Sequence, residues 1–200
     1  MEVNSLAYLS TLTSPGDIRF KDLNNDGKIN EDDRTVIGNP SPKWIFSMNN
    51  NLSYKGFDLS IYLQGVSGND IFNANNITNE GMAGAANQTT AVLNRWTGEG
   101  TSYVMPRAVL NDPAKNNRVS DRWVEDGSYL RIKNITLGYN FPKKWIKKLT
   151  LENARLFVSC DNVATITGYS GFDPEVDING IDNNRYPISR TLCFGVNFNF

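Results

Sequence analysis

The last ten residues constrain this chain more than any other feature. Leu192, Phe194, Val196, Phe198 and Phe200 alternate there with Thr191, Cys193, Gly195, Asn197 and Asn199. A period of two, with large apolar groups in one row and small or amide groups in the other, is the signature of a β-strand with one greasy face. That row must meet something apolar, either a protein interior or lipid hydrocarbon. An aromatic residue of that row at the very end fits a soluble sandwich poorly, because termini usually fray in water.

Four further strands follow from the same reading. Residues 154–162 place Leu156, Val158 and Cys160 on one side and Arg155, Ser159 and Asp161 on the other. Residues 128–141 exceed the ~9 to 11 that a tilted strand needs to cross a bilayer. The lower half of that segment puts Ile135, Leu137, Tyr139 and Phe141 on one face. Strict alternation sets Arg131 and Lys133 on that same face, so the strand is expected to leave the hydrocarbon above Ile135 and project into water. A hairpin is written by 44–54 and 57–66 around Lys55-Gly56, where glycine supplies a positive φ. Its rows are Trp44, Phe46, Met48 and Leu52, interrupted by Asn50, and Phe57, Leu59, Ile61 and Leu63.

The connections sort by length. Lys55-Gly56 and 142–150 are short, whereas 67–127 and 163–189 are long and rich in Asn, Gly and Thr. Strands that alternate in direction put every short turn at one end and every long loop at the other. Bacterial outer-membrane barrels show this arrangement, with short turns in the periplasm and long loops outside. The expected architecture is therefore all-β: an antiparallel transmembrane β-barrel segment of five to six strands with long extracellular loops. Five strands cannot close a solute-wide barrel, and an open edge in lipid leaves backbone groups unsatisfied, so the segment is expected to be an incomplete barrel on its own. The divisions are an outer loop region at 1–43, a barrel hairpin at 44–66, a long extracellular loop at 67–127 and three strands within 128–200. Turn 142–150 and extracellular loop 163–189 join those three. No secretion signal is visible in Met1-Glu2-Val3-Asn4, so an outer-membrane reading expects further chain upstream.

Composition removes other classes. The chain has 20 Lys+Arg against 21 Asp+Glu, so no basic field invites nucleic acid. With no His, the Ser-His-Asp and Cys-His arrangements and the common zinc sites are absent, and no nucleophile has a nearby base. An enzyme is not expected. Cys160 and Cys193 fall on opposite face parities of neighbouring strands, so no disulfide is expected between them.

The succession PGDIRFKDLNNDGKINEDDRTVIGNPSPKW at 15–44, SYLRIKNITLGYNFPKKWIKKL at 128–149 and ARLFVSCDNVATITGYSGFDPE at 154–175, closed by Phe200, resembles the C-terminal region of SusC/RagA-type TonB-linked outer-membrane transporters. The resemblance covers most of the chain in family order. It implies a barrel of about 22 strands with an N-terminal plug and a TonB box. It also implies location in the outer membrane, a SusD-like surface lipoprotein closing as a lid, and a glycan or peptide solute. Coupling to the TonB system would run through a part that this chain lacks.

Asp22, Asn24, Asp26, Lys28, Asn30 and Asp33 stand at the spacing of a calcium loop, with Gly27 at its sixth position and Lys28 offering a backbone carbonyl. Three carboxylates brought close without a cation would repel, so calcium in a structural role is expected there. A plain Asn-Asp-Gly turn is the blander alternative. Lys143, Lys144, Lys147 and Lys148 around Trp145 and Ile146 suit a turn anchored at the lipid interface, with anionic lipid contact as a second reading. Tyr129, Tyr139, Phe141, Trp145, Phe157, Phe198 and Phe200 are expected to be girdle or lipid-facing rings. Trp96, Tyr103, Trp123 and Tyr169 in the long loops are the candidates for solute contact. Asp173, Glu175 and Asp177 are expected to be solvated loop acids. The competing class is a soluble β-rich calcium-binding module, with carbohydrate as a candidate ligand, in which a second layer covers the apolar rows.

Overall fold

A computed structural model describes residues 11–147 and 150–200; Lys148 of the basic cluster and the first ten residues lie outside them. The strands are β1 (Trp44–Tyr54), β2 (Phe57–Ser67), β3 (Asp70–Asn73), β4 (Val124–Asp126), β5 (Tyr129–Asn140), β6 (Asn153–Thr167), β7 (Ile181–Asp182) and β8 (Thr191–Asn199), with short helices α1 (Ala74–Asn79) and α2 (Lys143–Ile146). No described helix is long and apolar enough to cross a membrane. The chain divides into two compact units. A wall unit comprises Asn39–Ile71, Glu125–Gly180 and Arg185–Phe200, and a loop unit comprises Met1–Gly38, Phe72–Val124 and Ile181–Asn184.

The wall is an open five-stranded sheet in the order β1-β2-β5-β6-β8, antiparallel throughout. Its first hairpin turns on Lys55 and Gly56 at φ 47° and 90°. Two successive positive φ values give the turn whose twist matches paired strands. The register aligns the apolar positions across all five strands. Leu52 faces Leu59, then Leu137, Val158 and Phe194, while Tyr54 faces Phe57, Tyr139, Leu156 and Val196. Asn50 opens a third such row, followed by Ile61, Ile135, Cys160 and Leu192. The intervening positions make a polar face, as in the row Asn51, Ser60, Thr136, Ser159 and Cys193.

Strict alternation fails at one place. The β2–β5 register shifts between Tyr62 and Leu63, and the β5–β6 register shifts between Ile132 and Asn134. Lys133 is thus an extra residue against β2, and Asn162-Val163 stand opposite it on β6, with Asn162 at φ 52°. A bulge reverses the parity of everything beyond it. Leu130 and Ile132 therefore continue the apolar face opposite Gly65 and Leu63, and Arg131 moves to the polar face opposite Gln64 and Thr165. The expected exit of β5 from the apolar face above Ile135 is overturned for that reason. Strand β6 also runs on to Thr167, so the loop after it begins later than residue 163.

Two of the expected girdle rings change sides as well. Phe157 lies opposite Gly138 and Gly195, a polar-face row, with its ring over Gly195. Tyr129 sits beyond the bulge beneath the Arg131 guanidinium and is buried.

In the loop unit the stretch 89–96 forms a 3-10 turn at Thr90–Asn94. Strands β3 and β7 pair in parallel, Phe72 with Ile181 and Asn73 with Asp182. Trp123, Met82 and Ala114 are buried within this unit. Segment 67–127 is therefore structured, holding β3, α1 and β4.

Candidate functional site

The apolar face of the wall is bare. Phe194 is 76 % exposed, and Leu52, Phe57, Leu137, Leu156, Leu192, Val196 and Phe198 are exposed beside it. Exposed apolar area of this continuity is unfavourable in water at about 25 cal/mol per Å² and is characteristic of a surface that meets another apolar phase. The expectation of a soluble module with a covering layer fails on this face. Toward the short turns the face ends in rings. Phe57 and Tyr139 lie 4.7 Å apart, Tyr139 and Phe141 5.3 Å, and Phe141 and Trp145 6.5 Å between centroids. Such a chain of aromatics marks the water boundary of a barrel's apolar band.

The polar face is cross-linked by hydrogen bonds. Arg155 Nε donates to Asp58 Oδ1 at 3.0 Å, and Asn140 Nδ2 donates to the same oxygen at 2.9 Å. This pair spans β5 above Gly138, where an added Cβ would fall 2.5 Å from Arg155 Nε. Further along, Asn134 Nδ2 donates to Asp161 at 2.7 Å and to Ser159 at 3.1 Å, and Thr136 donates back to Asn134.

Near the long loops stands a charge cluster. Arg131, its side chain 2 % exposed, donates to Asp173 Oδ1, to Glu175 Oε2 at 2.7 Å and to Thr165 Oγ1 at 2.8 Å, and Lys133 reaches Glu175 at 3.1 Å. Asp173 is buried, so these two acids are not solvated loop residues: they tie the loop after β6 back over the polar face. An arginine so enclosed requires anionic partners, since an unpaired buried charge costs several kcal/mol. Sequence spacing gave no hint of it, because the bulge that turns Arg131 inward has no residue signature.

The loop unit has its own clamp. Asp17, its side chain fully enclosed, accepts Arg107 Nε at 2.8 Å and Nη2 at 2.9 Å, Asn116 Nδ2 at 2.9 Å and the Ser14 amide at 2.8 Å. Burial alone would raise the Asp17 carboxyl, but the Arg107, Asn116 and Ser14 bonds together hold it below the usual carboxylate range. Beside the clamp opens a cleft of about 930 Å³ whose lining includes Asp17, Arg19, Trp96, Tyr103, Met105 and Arg122. Burial depresses the Arg122 guanidinium, partly offset by Glu80 and Asp112.

Of the four aromatic candidates, Trp96 and Tyr103 line this cleft, and Tyr103 is 93 % exposed. Trp123 and Tyr169 are buried, and the Trp123 indole is spent on the Arg118 carbonyl at 3.1 Å, so neither offers a face to a solute. The residues singled out for calcium lie in one loop. Asp22 accepts the amides of Asn25 and Gly27, Asn24 that of Asp26, Asp26 that of Lys28, Asn30 that of Asp32, and Asp33 those of Leu23 and Asn30. The Asn30 and Leu23 amides hold the Asp33 carboxyl below its ordinary value. Among the described residues no three His, Cys, Asp or Glu side chains converge as a metal cage. Cys160 stands opposite Leu192 and Ser159 opposite Cys193, which leaves the two thiols on opposite faces.

No family model matches the chain. It is 37% identical over 205 residues to TonB-dependent receptor P3 of Formosa agariphila, covering 97% of this chain and 20% of that protein. It is 30% identical over 184 residues to the TonB-dependent receptor SusC of Bacteroides thetaiotaomicron, covering 90% and 17%. The RagAB peptide importer in its closed-closed state superposes with a TM-score of 0.71 at 25% identity, over 82% of this chain and 18% of that one. A further structure of the RagAB peptide transporter gives 0.64 at 28% identity, over 73% and 16%. The chain thus spans about a fifth of the length of the relatives it matches. With an open antiparallel sheet greasy on one face, hydrogen-bonded on the other and similar in sequence and fold to these proteins, the chain belongs to the SusC/RagA-type TonB-dependent receptors of the outer membrane.

Proposed function

We propose that this chain supplies five wall strands and outer loops of a nutrient importer. The observation that carries the reading is the register that aligns exposed apolar side chains across all five strands while the opposite face is cross-linked by polar groups. In that reading the apolar face meets lipid and the polar face lines the lumen. The short turns at Lys55-Gly56 and after β5 face the periplasm, and the long connections face outward. The solute is a glycan, oligosaccharide or peptide. A SusD-like lipoprotein caps the outer loops, and the TonB system drives the cycle through a part of the receptor outside this chain. Within these residues transport needs no catalytic group: the wall excludes lipid from the path, and Trp96 and Tyr103 beside the cleft offer rings on which a sugar or a planar side chain can stack.

Sidedness is tested in a full-length receptor whose Cys160 and Cys193 are changed to Ser. Tyr103→Cys is expected to react with a membrane-impermeant maleimide on intact cells, and Lys55→Cys only after the outer membrane is opened. The opposite pattern overturns the orientation. Transport is tested by uptake of oligosaccharide and peptide mixtures in cells with and without the receptor. Equal depletion of both mixtures in the two strains removes the import reading.

The loop of Asp22, Asn24, Asp26, Lys28, Asn30 and Asp33 is proposed as a calcium site with a structural role, supported by its ligand spacing. In a cation-bound form the carboxylates would exchange some of their present amide partners for the metal. Calorimetric titration of the receptor with calcium is expected to lose one site in Asp22→Asn/Asp26→Asn, and equal stoichiometry in both forms rejects it.

A further inference from the structure

The second short turn carries a feature that import does not use. Helix α2 stands on the buried Ile146, and this turns Lys143, Lys144, Trp145 and Lys147 into the open. The first turn lies beside it, since the Gly56 carbonyl accepts the Asn140 amide at 2.7 Å, and Lys55 is exposed there over the Tyr54 ring. Acids do not balance these charges. Asp58 is taken up by Arg155 on the polar face, and none of these four described lysines is in an ion pair among the described residues.

The order of the groups matters as much as their number. From the bare apolar face the ring series Phe57, Tyr139, Phe141 and Trp145 leads, in steps of 4.7, 5.3 and 6.5 Å, to the lysine-bearing turn. Hydrocarbon, aromatic belt and ammonium groups therefore follow one another as acyl chains, interface and headgroups do in a lipid leaflet. A lysine is a point charge with three donors on a long flexible stem, suited to phosphate oxygens at a fluid surface.

We infer that Lys143, Lys144 and Lys147 of the second short turn, together with Lys55, form a binding surface for the phosphate headgroups of anionic phospholipids in the leaflet that the short turns meet. The inference rests on the lipid-facing reading of the sheet. It does not rest on which side the turns face, since a nanodisc offers the same lipid in both leaflets.

The test uses the full-length receptor in nanodiscs of mixed phosphatidylglycerol and phosphatidylcholine, with the lipids retained after mild delipidation counted by mass spectrometry. The wild type is expected to retain phosphatidylglycerol several-fold above its share of the mixture, and raised salt in the wash should remove that excess. Lys143→Gln/Lys144→Gln/Lys147→Gln is expected to lose most of the excess, whereas the corresponding Arg variant keeps it. Enrichment that is absent in the wild type, unmoved by salt, or equal in the Gln variant overturns the inference. So does equal loss in the Gln and Arg variants, which would point to shape and not charge. Should the Gln variant fail to fold, as judged by gel mobility before and after boiling, the salt dependence of the wild type decides. Failure of the receptor to enter nanodiscs at all would count against the lipid-facing reading itself.

Discussion

The wall and the loop unit obey opposite rules of burial. In the wall the large apolar side chains of the aligned rows, such as Leu52, Leu137 and Phe194, are exposed, and the enclosed groups include Arg131 and Asp173 beside Ile71, Tyr129 and Ile146. In the loop unit Trp123, Met82 and Ala114 are inside, as in any water-soluble domain, and the Asp17–Arg107 clamp ties its segments together. The difference teaches that solvent chooses which face of a chain is its interior. Backbone pairing holds the sheet regardless of what its outer face touches. Side-chain burial holds the loop unit, which has no ladder of comparable extent.

The comparison is broken most severely at Arg131. Arg131→Met leaves Asp173 buried without its cation and is expected to cost about 3–5 kcal/mol. Hydrogen exchange of the full-length receptor should show loop 168–180 released while β1 and β2 stay protected; uniform exchange along the wall would argue that the cluster serves the sheet and not the loop. On the opposite face Leu137→Arg is expected to cost about 2–4 kcal/mol of folding free energy in lipid, read from urea titration in vesicles. A neutral result there would mean that this face does not meet hydrocarbon.

Gly138→Ala sharpens the account of the polar face. The nearest atoms to the new Cβ are the ends of Arg155 and Asp58, which can swing away at the expense of their ion pair. The expected loss is therefore about 1 kcal/mol, and it should shrink in an Asp58→Asn/Arg155→Gln background. An undiminished loss would locate the strain in the backbone instead.

The smallest effect belongs to the loop unit. The Asp17 carboxyl titrates below its unfolded value, so its contribution is present above about pH 4 and fades as pH falls through the lower folded value. Fluorescence of Trp96 beside the same cleft should follow that acid transition, and Asp17→Asn should abolish its pH dependence. The titration should be absent from protection of the wall strands.

Much of this was legible in residues alone. Alternation in 191–200 and 154–162 implied strands with one greasy face, and the hairpin at Lys55-Gly56 was written by its glycine. Phe157 was expected on the lipid face and lies on the polar one, although its parity sets it with Arg155 and Ser159. Burial of Trp123 and Tyr169 was not legible, because loop aromatics carry no period that separates a core ring from an exposed one. The calcium-type spacing is visible in sequence, yet the carboxylates of that loop accept neighbouring amides in this structure.

By itself, then, the sequence determined the five wall strands, the apolar face of each up to the bulge at Lys133 and which connections are long, because these depend on near neighbours along the chain. Only the tertiary structure decided the bulge at Lys133, the inward turn of Arg131 onto Asp173 and Glu175, and the pairing of Asp17 with Arg107. Each of those joins residues far apart in sequence, and the energy that selects it exists only once distant segments share an environment from which water is excluded.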